Sequence, residues 1–339
     1  MKKIVLIILT VFFTVSLYPG DKSRRGTTGA DQLLIPVGAR SIATSGAFVA
    51  TVDGLESIYY NPGGMDVSKK SEAMFSYMNY VADINISYFA AGTSLGEFGS
   101  VALSLKSLDV GDIPITTNEF PDGTGSTYSP SFITIGLTYS KTLTDRVSIG
   151  TNVKFINETI GNTIASGFAI DAGVQYKFND NLSIGATINN IGSNMTYAGQ
   201  DLRVQTGVPG SVIGAPDGTY EVVAEPFQIP SYFQLSLAYQ ENFDEQNKIM
   251  LAGTFVANNS LDDAINFGLE YSYINTFFIR GGYQMYTENM DESIYGFAAG
   301  AGVNYDVGSG IGVTFDYAYR DVQDFPTSNH IFTVKLAFQ

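Results

Sequence analysis

The sequence predicts an all-β fold: a 14-stranded antiparallel transmembrane β-barrel with a short N-terminal helical plug in its lumen. Three observations predict it. Fourteen runs, most about ten residues or a little longer, alternate their side chains with period two, so each run presents two different faces. The connections between them sort into short and long on alternate sides, as in a barrel that starts and ends in the periplasm. The apolar parity is rich in Tyr and Phe, 21 and 23 in the chain, as aromatic girdles require.

The first element is MKKIVLIILTVFFTVS. Lys2 and Lys3 precede an apolar run from Ile4 to Val15, the length of a signal-peptide core and short for a membrane-spanning helix. Cleavage is expected between Ser16 and Gly20, so residues 1–20 are read as a signal peptide. No later stretch is long and apolar enough to cross a bilayer as a helix. The expected location is the bacterial outer membrane, in contact with its lipid and lipopolysaccharide.

Residues 21–71 do not alternate and are read as the plug. GARSIATSGAFVATVDGLESIYYNPGGM consists of small-residue helical turns with stops. Asp53, with Glu56 three residues on, predicts the N-cap of a short helix carrying Leu55, Ile58 and Tyr59 on one side. Pro62 ends that helix and Gly63–Gly64 let the backbone turn freely. Asn61, Pro62, Gly63 and Gly64 are therefore expected to form the hinge that ends the plug and aims the chain into the first strand.

Residues 72–339 are read as the barrel. Its strands are expected near 72–80, 84–95, 98–107, 130–141, 146–157, 166–178, 182–191, 231–241, 247–258, 264–274, 276–286, 295–306, 310–319 and 330–338. In IFTVKLAF, Phe332, Val334, Leu336 and Phe338 face one way and Thr333, Lys335 and Ala337 the other. Short turns near 96–97, 142–145, 179–181, 242–246, 275 and 307–309 are assigned to the periplasm. The outer side receives 81–83, 108–129, 158–165, 192–230, 259–263, 287–294 and 320–329, including the two longest connections. A soluble β-sandwich also alternates, but its strands are shorter and its faces carry fewer aromatics.

Composition bounds the chemistry. The net charge is −15 with no Cys, which argues against nucleic acid and excludes disulfides, thiolate metal sites and a Cys nucleophile. The single histidine, His330, shares parity with Phe332 and is expected at the outer rim of the girdle. No nucleophile elbow, P-loop or His-rich metal spacing occurs, so neither an enzyme nor a cofactor or metal site is expected. By parity the lumen wall carries Lys154, Lys177, Arg280, Arg320 and Lys335 against Asp171, Glu270 and Asp316. Charges at the lipid-facing midplane would cost roughly 2–4 kcal/mol each, so one-sided placement supports the barrel. This mixed-sign set is expected to pair internally and with plug residues such as Arg40, Asp53 or Glu56. The alternative is a ligand carboxylate near Arg280 or Lys335.

The outer loops are acidic but lack the ligand spacing of a calcium loop, and a solvated or lipopolysaccharide-bridging surface is expected. Loop 192–230 also holds apolar residues, among them Val208, Val212, Ile213 and Phe227. It is the candidate surface for a protein partner or for entry of an apolar ligand.

LLIPVGARSIATSGAFVATVDGLESIYYNPGGM resembles the front end of the PorV-like branch of the FadL outer-membrane barrel superfamily. Pro36, Gly38, Ala39, Arg40, Gly46, Ala47, Asn61, Pro62 and Gly64 match its pattern, while Gly63 stands where Ala is usual. The resemblance implies a 14-stranded outer-membrane barrel with an N-terminal plug, and marks Gly38, Arg40 and Gly46 as plug positions. It also implies one of two roles. PorV-like members serve type IX secretion, holding the C-terminal signal domain of exported cargo. FadL-like members pass long-chain fatty acids and other hydrophobic molecules. A channel of the second kind predicts an apolar pocket behind the plug around Leu33, Leu34, Phe48 and Tyr59.

Overall fold

The structure, a computed structural model, describes residues 26–212, 214–288, 293–308, 310–323 and 325–338. The expected signal peptide lies outside the described residues. The wall consists of β1 (Ser71–Asn79), β2 (Asn85–Ser94), β3 (Ser100–Asp109), β4 (Ser131–Thr142), β5 (Val147–Ile160), β6 (Thr163–Lys177) and β7 (Leu182–Gly192). It continues through β8 (Tyr232–Asn242), β9 (Asn247–Asn258), β10 (Ala264–Tyr273), β11 (Phe277–Tyr286), β12 (Tyr295–Gly308), β13 (Ile311–Val322) and β14 (Asn329–Phe338). Every strand pairs antiparallel with its neighbours in sequence, and β14 returns to pair with β1, which closes the ring. All fourteen lie within three residues of their expected bounds.

The period-two pattern explains the wall. Phe332 and Phe338 of β14 are about half exposed, whereas Ile331 and Thr333, on either side of Phe332, are buried against the lumen contents. The same alternation puts Phe75, Phe89, Leu103, Leu137, Phe168, Phe267, Ile279, Phe297 and Phe315 outside. An apolar outer band of this extent suits hydrocarbon and not water. His330 is exposed at the rim, where its Nδ1 lies 2.8 Å from the Tyr317 hydroxyl. Among the described residues, no helix is long and apolar enough to cross a membrane.

The connections differ on the two sides. Those at 95–99, 143–146, 178–181, 243–246, 274–276 and 309–310 are short. On the other side, 110–130 carries a small hairpin, Ile113–Pro114 with Thr127–Tyr128, and 193–231 carries another, Arg203–Thr206 with Gly218–Glu221. The expected loop 158–165 is instead a two-residue turn, because β5 and β6 stay paired up to Ile160 and Thr163.

The lumen is filled by residues 30–67, folded as short helical turns: Asp31–Leu34, Ala39–Ala43, Gly54–Glu56, Ser57–Tyr60 and Pro62–Val67. Small side chains let these turns approach the wall. Ala39, Ile42 and Ala43 pack on Met78, Ile86, Ala318 and Ile331. Val37, Leu55, Ile58 and Met65 pack on Met74, Tyr88, Ala90 and Ala102. Ala47, Phe48 and Ala50 pack on Ala238, Met250 and Ala252. Few isolated turns of this length are stable in water, so the plug owes its shape to the wall around it.

Candidate functional site

YYNPGGM is wedged between the plug and the wall at the point where the plug ends. Helix Ser57–Tyr60 ends at Asn61, whose extended backbone starts the next turn, Pro62–Val67. The Asn61 side chain is fully buried and replaces peptide groups on three sides. Its Nδ2 donates to the carbonyls of Val49 (2.9 Å) and Val174 (3.0 Å), and its Oδ1 accepts from Gly63 N (3.1 Å). Gly64 is required for space. A β-carbon on Gly64 would lie 1.9 Å from the Val52 carbonyl oxygen. The wall reciprocates: a β-carbon on Gly150 would lie 2.2 Å from the Pro62 carbonyl oxygen, and one on Gly173 2.1 Å from Asn61 Oδ1. Just beyond the wedge, Asp66 accepts from Ser100 Oγ and from Thr142 N (2.8 Å), which fixes the exit into β1. Asn61→Ala would strand two carbonyls and one N–H in the interior, an expected loss of about 3 kcal/mol. Urea unfolding followed by far-ultraviolet circular dichroism measures it; an unchanged midpoint would contradict this account.

The charged residues join plug and wall in one chain of alternating sign. Asp53 accepts from Arg40 (2.9 Å), and Arg40 grips Glu270 with Nε at 3.0 Å and Nη2 at 3.2 Å. Glu270 also accepts from Arg280 Nε at 2.6 Å, and Arg280 Nη1 donates to Asp316 at 2.6 Å. Lys335 Nζ stands 3.5 Å from Asp316 Oδ2 and 3.2 Å from Glu56 Oε2. Thus the chain begins on the plug at Asp53, crosses the wall strands, and returns to the plug at Glu56. The second oxygen of Glu56 accepts from Ser41 N at 2.7 Å. The expected capping box between Asp53 and Glu56 is absent: Asp53 makes no side-chain cap, because Arg40 holds it, and Glu56 caps helix Ala39–Ala43 instead. Gly38 permits this. Its φ is +84°, and a β-carbon there would lie 2.4 Å from Glu56 Oε1.

Three further charges of the expected set lie elsewhere. Lys154 pairs with Asp171 at 2.7 Å, beside a β-bulge where Asn190 adopts φ +60° and its N–H donates to Asp171 at 2.8 Å. Lys177 has lumen parity but is exposed at the periplasmic mouth, beside Lys69 and Asp145. Lys106 and Glu158 are buried wall charges that sequence reasoning missed. Lys106 Nζ donates to the carbonyls of Gln32 (2.6 Å) and Ile35, and Glu158 accepts from Gln32 Nε2 (2.8 Å) and the Tyr197 hydroxyl. Lys106 shared the inward parity of β3 and was legible there; Glu158 fell in a segment read as loop.

The remaining lumen charge, Arg320, is buried and lies 3.8 Å from the centre of the Tyr295 ring. It borders a cavity of about 160 Å³ on the outer side of the plug, lined in part by Leu34, Gly46 and Tyr59. A second cavity, about 350 Å³ and strongly charged, opens on the periplasmic side around Arg40, Asp53, Glu72 and Lys248. The expected pocket around Leu33, Leu34, Phe48 and Tyr59 does not form as one space. Leu33 packs with Ile156 and Met195, and Phe48 packs on β8 and β9. Among the described residues, no group of three or more His, Cys, Asp or Glu side chains could hold a metal ion.

The outer-loop set divides. Val208 and Val212 are exposed, Val212 at 80%. Ile213 lies outside the described residues. Phe227 turns inward: it bridges Met195, packs its ring on Tyr197 in a tilted arrangement with centroids 5.5 Å apart and covers Gly29, while Gln228 pairs with Thr28. The base of the loop is therefore part of the plug's packing and not a free surface. Asp201 ties the loop to the β5–β6 turn, accepting from Asn162 N (2.8 Å) and Nδ2 (2.9 Å). Those donors hold its carboxyl below its ordinary value.

Comparisons with known proteins agree with this architecture. The chain superposes on the Pseudomonas putida toluene transporter TodX with a TM-score of 0.59 and 15% identity, over 90% of this chain and 98% of that one. A monoaromatic hydrocarbon channel, CymD, gives 0.56 and 11%, with the same coverage of both chains. A Pseudomonas aeruginosa FadL homologue gives 0.54 and 11%, again over 90% and 98%. At such identities the likeness shows the fold. No curated protein sequence matches the chain. The family described as "Type IX secretion system protein PorV" matches residues 19–258, well over half the sequence, and its outer-membrane setting fits the closed, plugged barrel. The chain is a bacterial outer-membrane β-barrel that belongs to the PorV family.

Proposed function

We propose that this protein is a plugged docking barrel, a type IX secretion-associated component that binds exported proteins at the cell surface. The observation that carries the reading is the raised hairpin of residues 203–221 and its flank. Val204, Val208, Val212, Tyr220, Val222 and Val223 are all at least two-fifths exposed there, Val223 at 87%. Apolar side chains clustered on a surface loop suit a protein partner. The plug supports the same reading from the other direction, because a lumen crossed by buried ion pairs serves better as a scaffold than as a conduit. Family membership adds to it.

The alternative is a FadL-like channel for long-chain fatty acids or other hydrophobic small molecules. The cavity outside the plug favours it, as do neighbours titled as toluene and hydrocarbon transporters. Native mass spectrometry of the barrel, extracted gently from its own membrane, separates the two. A co-purifying exported protein is expected, and deletion of residues 203–221 is expected to abolish it while the barrel stays folded. A hydrophobic small molecule alone, retained after the deletion, would overturn the docking reading.

A further inference from the structure

We propose that the cavity on the outer side of the plug is a binding site for a small monocarboxylate carrying one aromatic ring, with Arg320 as its anion-binding residue. This goes beyond the docking reading and does not depend on it.

The argument begins with what Arg320 lacks. The other lumen arginines among the described residues each bond two carboxylates: Arg40 with Asp53 and Glu270, Arg280 with Glu270 and Asp316. Lys335 is held by Glu56 and Asp316, and Lys154 by Asp171. Arg320 is only 6% exposed, yet its Nε and Nη2 are both without a hydrogen-bond partner. Among the described residues, no carboxylate forms an ion pair with it. A buried guanidinium without a counter-charge is costly, and the structure around it explains the cost only if something else completes the site.

Two neighbouring residues also carry unpartnered polar atoms. Asn329 stands directly across the β13–β14 ladder from Arg320, on the same inward face, and both of its side-chain amide atoms are unpartnered. Asn266 lines the same cavity with an unpartnered Oδ1. Nε and Nη2 lie along one edge of the guanidinium, the edge that meets the two oxygens of a carboxylate in a paired fork. Tyr295 covers the guanidinium face, and the Nε–Nη2 edge is buried with no partner of its own. A single positive charge selects a monoanion over a phosphate dianion.

The rest of the cavity sets the body of the ligand. Leu34, Pro36, Tyr59, Tyr60 and Tyr232 supply flat or apolar lining. The volume, about 160 Å³, is close to the roughly 150 Å³ of a protein cavity that takes a benzene ring. Tyr59 and Tyr60 already spend their hydroxyls on the Leu33 and Val37 carbonyls, so they offer rings and not donors. Of the expected carboxylate positions, Arg280 already bonds Glu270 and Asp316, and Lys335 is shared by Glu56 and Asp316; among the described residues Arg320 is the buried arginine whose donors remain open.

The test uses the full-length mature barrel in detergent micelles, with benzoate as the probe and benzyl alcohol as its neutral counterpart. Saturation-transfer difference NMR and equilibrium dialysis read the binding. Benzoate is expected to bind, with benzyl alcohol at least tenfold weaker. Arg320→Gln is expected to remove the preference for benzoate, and Val256→Phe, which fills the cavity and leaves Arg320 in place, to remove binding of both. Should Arg320→Gln fail to fold, Val256→Phe still decides. Equal binding of benzoate to the parent protein and to either variant would overturn the proposal, as would no binding to the parent at millimolar benzoate.

Discussion

Glu270→Ala is expected to loosen the plug more than any other single truncation in the lumen. Among the described residues, Glu270 is the carboxylate gripped by two arginines, and its side chain is 5% exposed. Its removal leaves Arg40 with a half-exposed Asp53 and Arg280 with Asp316 alone. Breaking a buried pair by deleting one partner costs about 3–5 kcal/mol, because the other charge stays buried. Thermal unfolding should therefore shift strongly downward, and planar-bilayer recordings should show openings that the parent barrel lacks. Adding Arg40→Met should restore part of the loss, since one stranded charge disappears with it. A single variant as stable and as silent as the parent would show that the ion-pair chain does not hold the plug.

Gly150→Val is the second large effect, and it acts by volume. Valine suits a strand, so β5 itself should form normally. The new side chain, however, points at backbone atoms of the plug: the Pro62 carbonyl oxygen at 2.2 Å and Gly63 N at 2.7 Å from the added β-carbon. Neither can rotate aside, and overpacking of this kind costs about 1–3 kcal/mol or forces the segment out. Limited proteolysis should cut residues 26–70 at least tenfold faster while the barrel fragment survives. Gly253→Val is the control, because a β-carbon there meets nothing nearer than 3.8 Å. Equal cleavage of both variants would refute the wedge.

Much of this was legible in the chain, and the boundary is physical. A period of two survives any tertiary context, so the fourteen strands and their inward charges could be read from alternation alone. The glycines at 150, 173, 185, 268, 282 and 300 were also a signal. Each sits on an inward position, and glycine inside a strand marks a place where another backbone comes close. What alternation could not supply was partner identity. Asp53 and Glu56 have the spacing of a capping box, but Arg40 and Ser41 compete for them across the plug and win. Phe227 reads as loop surface until Gly29 and Tyr197 are seen beneath it. The saturation of Arg280 and the openness of Arg320 depend on strands far apart in sequence, so no local pattern separates them.

The charge chain also decides how the molecule answers to its medium. Mobile ions screen charges they can approach, over about 8 Å at physiological ionic strength. Arg203 and Glu221, 3.6 Å apart at the outer hairpin, are both about half exposed and lie within reach of every ion in the surroundings. Arg280 and Asp316, with side chains 2% and 0% exposed, do not. Changes in ionic strength should therefore act on the outer hairpin far more than on the Arg280–Asp316 pair. Depth alone divides an ion pair that tracks salinity from one that is shielded from it.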